Sequence, residues 1–175
     1  MVNKEKIKIR NVKKEDIESI VDIQIDGWRT AYKSFIDGDY LIKLDKKEKI
    51  EKRKKDYNEN GFIVAVIENE VVGYCRYIDS NKFSKEYENV DCELCALYVK
   101  SSLKRNGIGR ELMHYVINEF RNKGKKKMIL WCFKENYSSR AFYEKMGGKI
   151  FKYKVVEYGG KEYKEVSYLY DIEKL

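Results

Sequence analysis

The stretch LYVKSSLKRNGIGRELM, residues 97–113, decides how the chain is read. Its first residues end an apolar, period-two run that begins near Asp91, so a strand leads into it. Its last residues open a helical period in which Ile108, Leu112, Val116, Ile117 and Phe120 share one side. Between the two lies a basic loop with glycine at 107 and 109. A helix start leaves backbone N–H groups without acceptors and carries partial positive charge, and glycine lets an anion approach them closely. Lys104, Arg105 and Arg110 add full charges. Together these features predict a pyrophosphate cradle. It is not a Walker loop, for no Gly-Lys-Ser/Thr follows, nor a G-x-G-x-x-G dinucleotide fingerprint. A turn that merely starts a helix is the plain alternative.

Outward from this stretch the period alternates between two and 3.6. Upstream, residues 6–12 read as a strand, 13–33 as an amphipathic helix with Ile17, Ile20, Val21, Ile23, Ile25 and Trp28 inward, and 35–40 as a break. A heavily charged helix at 45–57 is followed by a hairpin, FIVAVI at 62–67 and VVGYCRYI at 71–78, and a polar loop at 79–89. Downstream, KMILWCF at 127–133 is a strand covered on both faces, 137–146 a helix ended by Gly147-Gly148, and 149–157 and 162–171 a closing pair of strands. The order β-α-α-β-β-β-α-β-α-β-β predicts a mixed α/β (α+β) sheet of about seven strands flanked by about four helices. No internal repeat or linker interrupts it, so residues 1–175 are expected to form one domain.

The 175 residues are 43% hydrophobic and 38% charged, with a formal charge of +8 and 24 aromatic residues, which excludes a disordered polyelectrolyte. No apolar run approaches the ~20 residues of a membrane span. The N-terminal MVNKEKIKIRNV lacks the apolar stretch of a secretory leader, so the expectation is a soluble cytoplasmic protein. Cys92 and Cys95 form a C-x-x-C, but strand spacing sets the thiols on opposite faces and His114 is the one histidine. No metal is expected; Cys75, Cys92, Cys95 and Cys132 read as buried free thiols.

KRNGIG resembles the acetyl-CoA signature Gln/Arg-x-x-Gly-x-Gly/Ala of the GCN5-related N-acetyltransferase (GNAT) superfamily, with Lys104 at its first position. Downstream, LWCFKENYSSRAFYEKMGGK resembles that family's Asn…Ala-x-x-Phe-Tyr-x-x-x-Gly region, with Gly148 where an aromatic residue is usual. The likeness runs over nearly the whole chain and implies a mostly antiparallel central sheet. It also implies acetyl-CoA as co-substrate, held by the strand backbone at Leu97, Tyr98 and Val99, by the loop Lys104, Arg105, Asn106, Gly107, Ile108, Gly109 and Arg110, and by Asn136. Tyr143 falls where the family has a tyrosine near the coenzyme's sulfur. The stretch GWRTAYKSFIDGDYL, 27–41, is loosely similar to small bacterial relatives that acetylate polyamines and other small amines. On that likeness Trp28, Tyr32 and Asp37 line an acceptor pocket; the other reading makes the aromatics core residues at helical spacing.

Acyl transfer to an amine needs a neutral amine, a polarised carbonyl and a proton for the leaving thiolate. A carboxylate commonly takes the amine's proton. Glu93 is the candidate base, on the strand that leads to the cofactor loop, and period-two counting sets it on one face with Cys95, Leu97 and Val99 unless a bulge resets the faces. A salt-bridged strand glutamate is the alternative. Backbone N–H near Leu97 can polarise the carbonyl, and Tyr143, with an ordinary phenol pKa near ~10, is the candidate acid. A covalent route through Cys95 or Cys132 lacks a neighbouring histidine. Two rivals remain open, a non-catalytic coenzyme A sensor and a nucleic-acid binder. Residues 100–127 hold nine Lys/Arg against Glu111 and Glu119, but no recognition-helix or RNA-binding signature accompanies them. A homodimer through the two last strands also stays open.

Overall fold

Seven runs of period two and four helical stripes sort themselves into one sheet covered on both faces. The structure, a computed structural model, describes residues 7–79, 87 and 90–175. Lys6, read above into the first strand, and the polar loop at 79–89 save Asp79 and Tyr87 lie outside the described residues. The strands are β1 (Lys8–Asn11), β2 (Phe62–Ile67), β3 (Glu70–Ile78), β4 (Cys92–Val99), β5 (Lys127–Phe133), β6 (Lys149–Tyr158) and β7 (Lys161–Asp171). The helices are α1 (Ile17–Ala31), α2 (Gly38–Ile42), α3 (Lys46–Lys55), α4 (Ile108–Asn122) and α5 (Tyr137–Lys145). Strand order is β1-β2-β3-β4-β5-β7-β6, with β4–β5 the one parallel neighbour pair among the described residues. The expected mixed, mostly antiparallel sheet is present.

Alternation along β2 and β3 divides the core. Ile63, Ala65, Val72 and Cys75 face α4 and α5, whereas Phe62, Val64, Val66 and Tyr74 face α1. On α4 the buried stripe is Ile108, Leu112, Met113, Val116, Ile117 and Phe120, each such side chain contributing about 1.5–3 kcal/mol when fully buried. α3 buries none of its residues and is held by an Asp45 cap, Lys46 bridging Glu18 and Asp22, and Arg53 bonding Gln24.

Four expectations need correction. The break at 35–40 contains the start of α2, because Asp37 accepts the Tyr40 N–H at 3.1 Å and caps a short helix. In β4, Arg76 opposes Ala96 and Tyr77 opposes Leu94, so Cys95 is an extra residue that resets the faces. Glu93, Ala96 and Tyr98 therefore share the α1 face, and Leu97 and Val99 turn to α4. Cys95 is also exposed rather than buried. Finally, β7 lies inside the sheet between β5 and β6, so only β6 of the closing pair offers an edge.

Burial raises the pKa of Tyr32, Tyr74, Tyr98, Tyr143 and Tyr170 above the ordinary phenol value. Above pH ~10 the unfolded chain releases these protons first and binds fewer than the folded one, so stability falls as pH rises. The melting temperature should hold between pH 7 and 9 and drop steeply above about 10, as circular dichroism melts would read; an unchanged melt at pH 11 contradicts this.

Candidate active site

The sheet opens at its centre. β4 and β5 pair only at Cys92–Met128, Glu93–Ile129 and Leu94–Leu130, after which β4 continues beside β3 to Val99 and β5 beside β7 to Phe133. Among the described residues, no strand therefore lies against the β5-facing edge of β4 from Cys95 onward. A cleft of about 200 Å³ fills the gap, reached by Gly27, Trp28, Tyr32, Leu97, Tyr98, Val99, Lys104, Trp131, Cys132, Phe133, Asn136, Tyr143, Tyr158 and Glu165 among others. A larger hollow of about 780 Å³ lies elsewhere, between α3 and the outer ends of β2 and β3.

At one end of the cleft stands the start of α4. Gly107 is its N-cap at φ 87° and supplies no side-chain acceptor. Glu111 is the first amide of the helix to bond back, to the Gly107 carbonyl at 3.0 Å, which leaves the Ile108, Gly109 and Arg110 amides pointing outward. Arg105 adopts φ 64°, a conformation uncommon for a side-chain-bearing residue. The Asn106 side chain ties the loop by donating to the Leu103 and Lys104 carbonyls, each at 3.3 Å. A Cβ on Gly109 would stand 3.5 Å from Leu97 and 3.6 Å from Phe142, ordinary contacts, so packing within the protein does not require glycine there. Bare helix amides, an open approach and flanking cations fit a phosphate group.

The basic run at 100–127 divides in two. Lys123 and Lys127 pair with Asp79 and Asp171, Lys100 with Glu70, Lys126 with Glu173, and Arg121 donates to the Ile172 and Leu175 carbonyls. Lys104 and Arg105 stay exposed beside the α4 start, with Arg110 3.7 Å from Glu111.

On the α1 side the walls are aromatic. Trp28 meets Tyr32, Phe133 and Tyr158 with centroids at 5.1, 6.0 and 5.2 Å, edge to face. The Trp28 Nε1–H donates to the Tyr98 hydroxyl at 2.9 Å, and Tyr32 hydrogen-bonds the same group. Gly27 gives the Tyr98 ring its place, since a Cβ would come within 2.9 Å of it. On the other side, Tyr143 is buried with its ring against Phe142, and its carbonyl accepts from the Tyr170 hydroxyl at 2.8 Å. The Tyr170 hydroxyl also occupies the space a Cβ on Gly148 would need, which accounts for glycine there. Burial first, then Cys132 and Tyr98, push the Tyr143 phenol far above its ordinary value, so it keeps its proton.

The family model described as "Acetyltransferase (GNAT) family" matches residues 20–148. The chain belongs to the acetyltransferase (GNAT) family. Among relatives of this GNAT chain, the uncharacterized N-acetyltransferase YuaI of Bacillus subtilis is 30% identical over 132 residues, 75% of each chain. The crystal structure of PaiA N-acetyltransferase from Thermoplasma acidophilum in complex with coenzyme A has a TM-score of 0.66 at 21% identity, over 91% of this chain and 97% of that one. The structure of yncA from Salmonella typhimurium with its cofactor acetyl-CoA matches at TM-score 0.66 and 21% identity, over 97% and 96%. At that identity the two structures speak for the fold, and family membership makes the chain an acyltransferase.

Set on this GNAT fold, most residues singled out in the sequence meet at the cleft. Leu97, Tyr98, Val99, Lys104, Asn136, Tyr143, Trp28 and Tyr32 all line it. Arg105, Asn106, Gly107, Ile108, Gly109 and Arg110 form the adjoining turn and helix start. The Asn136 Oδ1 caps α5 by accepting the Ser139 N–H at 3.3 Å. Two residues stand apart. Asp37 caps α2 and pairs with Lys161, outside the cleft lining. Glu93 sits where β4 is still flanked by both β3 and β5, two residues before the gap opens at Cys95. The sequence reading missed Trp131, Tyr158 and Glu165, which strand register alone carries to the wall.

Proposed function

We propose that this acetyltransferase, acting as a single domain over residues 1–175, moves the acetyl group of acetyl-CoA to a primary amine, a small amine such as a polyamine or a peptide amine. The observation that carries the reading is the cleft between β4 and β5, continuous with the uncapped start of α4. In this reading the Ile108, Gly109 and Arg110 amides hold the pyrophosphate together with Lys104, Arg105 and Arg110. The unpaired β4 edge at Leu97, Tyr98 and Val99 receives the amide-bearing arm as another strand would be received. An N–H near Leu97 polarises the thioester carbonyl. Trp28 and Tyr32 wall the acceptor side.

The amine reaches the cleft as an ammonium ion and must lose a proton before its lone pair attacks. Glu93, outside the lining, takes that proton through water. The new C–N bond replaces the C–S bond, the amine's second proton leaves to solvent, and the sulfur departs toward the Tyr143 hydroxyl. Because Tyr143 holds its proton so firmly, it serves as a hydrogen-bond donor to the developing thiolate.

Attack is direct, in a ternary complex. Burial pushes the Cys132 thiol up to about 12, so the nucleophilic thiolate is scarce near neutral pH. A thiol-release assay with acetyl-CoA against polyamines, aminoglycosides, amino acids and N-terminal peptides should find an acetylated amine. Double-reciprocal plots should intersect, and intact mass after acetyl-CoA alone should show no acetyl on Cys95 or Cys132. Parallel lines with a trapped acetyl-cysteine overturn the direct route; tight binding with no acceptor in the panel favours the sensor.

A further inference from the structure

Among the described residues lining the cleft, Glu165 is the one carboxylate and Lys104 the one cation. Register explains how Glu165 arrives there. It stands opposite Phe133 on β5 and Lys154 on β6, on the α1 face that also carries Trp131, Tyr158 and Tyr163. Its side chain is only 13% exposed, and Lys154 Nζ approaches it at 3.2 Å while lying 4.2 Å above the Trp131 ring. The charge reaches into the cleft: it acts on Cys132, Tyr98 and Tyr158, three groups on three different strands.

We propose that Glu165 receives the acceptor's ammonium group, and that the acceptor is a primary amine on a slender apolar arm. The inference deepens the transferase reading above and rests on it. The chemistry is complementary throughout. A carboxylate partly desolvated beside aromatic rings binds a cation better than one in water, and Trp28, Trp131, Phe133 and Tyr158 line the same cleft. Lys154, with its side chain 41% exposed, keeps the carboxylate compensated until an ammonium shares it. The cleft of about 200 Å³ is shared with the coenzyme's arm along Leu97, Tyr98 and Val99, so it admits only a narrow chain and leaves the rest of an acceptor outside.

The chain's two tryptophans, Trp28 and Trp131, both line the cleft, so their emission reads binding there without any turnover. In protein saturated with coenzyme A, n-butylammonium should half-saturate the emission change at lower concentration than the uncharged n-butanol. Glu165→Gln should weaken n-butylammonium by about 10–100-fold, the range of one lost charge-assisted hydrogen bond, while leaving n-butanol and coenzyme A titrations unchanged. A parent without preference for the cation, or a Glu165→Gln protein that keeps it, overturns the proposal. Should Glu165→Gln fail to fold, Lys154→Met decides: removing the competing cation should tighten n-butylammonium several-fold, and no tightening overturns the proposal. Absence of coenzyme A binding in the parent would instead sink the transferase reading itself, and this inference with it.

Discussion

Gly109→Glu should weaken acetyl-CoA binding by about 10²–10⁴-fold, the loss of two contacts to a charged group at ~1.5–3 kcal/mol each, while the protein stays folded. Position 109 is the better test of the cradle than 107. Gly107 sits at φ 87°, so any substitution there strains the backbone and mixes misfolding with lost affinity. Gly109 has an ordinary backbone, and a Cβ on it meets only normal contacts with Leu97, Phe142 and Val99. Its neighbours are the outward amides of the first α4 turn, and acidic residues are tolerated at helix starts. A carboxylate placed among them would satisfy those amides itself and repel phosphate. Calorimetry should therefore show near-parental melting and a collapse of acetyl-CoA affinity. Undiminished affinity in a folded variant removes the pyrophosphate from this loop.

The turn at 104–110 was legible because its physics is local. Glycine, cations and the onset of a 3.6-residue period lie within a few residues of one another, and nothing distant is needed to interpret them. The same holds for the α1 and α4 stripes. The Cys95 bulge was not legible in that way, since an extra residue in β4 exists only relative to β3, and CELCALYV reads as regular alternation. That single irregularity moves Leu97 and Val99 to the face opposite Glu93. The short α2 was hidden similarly: IDGDY looks like a break until Asp37 is seen to cap Tyr40 and Lys161 to neutralise it.

The acceptor side shows the limit more sharply. Glu165 lies in KEYKEVSYLYD among alternating charges that a sequence reading assigns to solvent. It becomes part of the cleft because β7 inserts between β5 and β6, setting it against Phe133 at the point where β5 has parted from β4. Family motifs mark the coenzyme side, where the ligand is constant. The opposite wall is assembled from α1, β5, β6 and β7, and no short motif records their registration.

Tyr143→Phe should lower kcat about 10²–10³-fold, the usual worth of one positioned hydrogen-bond donor to a developing anion, with acetyl-CoA affinity nearly unchanged. Phenylalanine keeps the ring's edge contact with Phe142 and its tilted contact with Tyr168, and the backbone bond from Tyr170 does not involve the side chain. Tyr143 lines the cleft, so deleting its hydroxyl should leave the melting temperature nearly unchanged. A purely structural tyrosine would show the reverse, lost stability with little change in rate. The pH profile adds a second signature. Since burial holds the phenol protonated well above its ordinary pKa, the rate ratio of parent to variant should stay flat from pH 6 to 9. A ratio that instead changed through neutral pH would assign the proton to another group, and a variant that turned over like the parent would leave the thiolate to solvent.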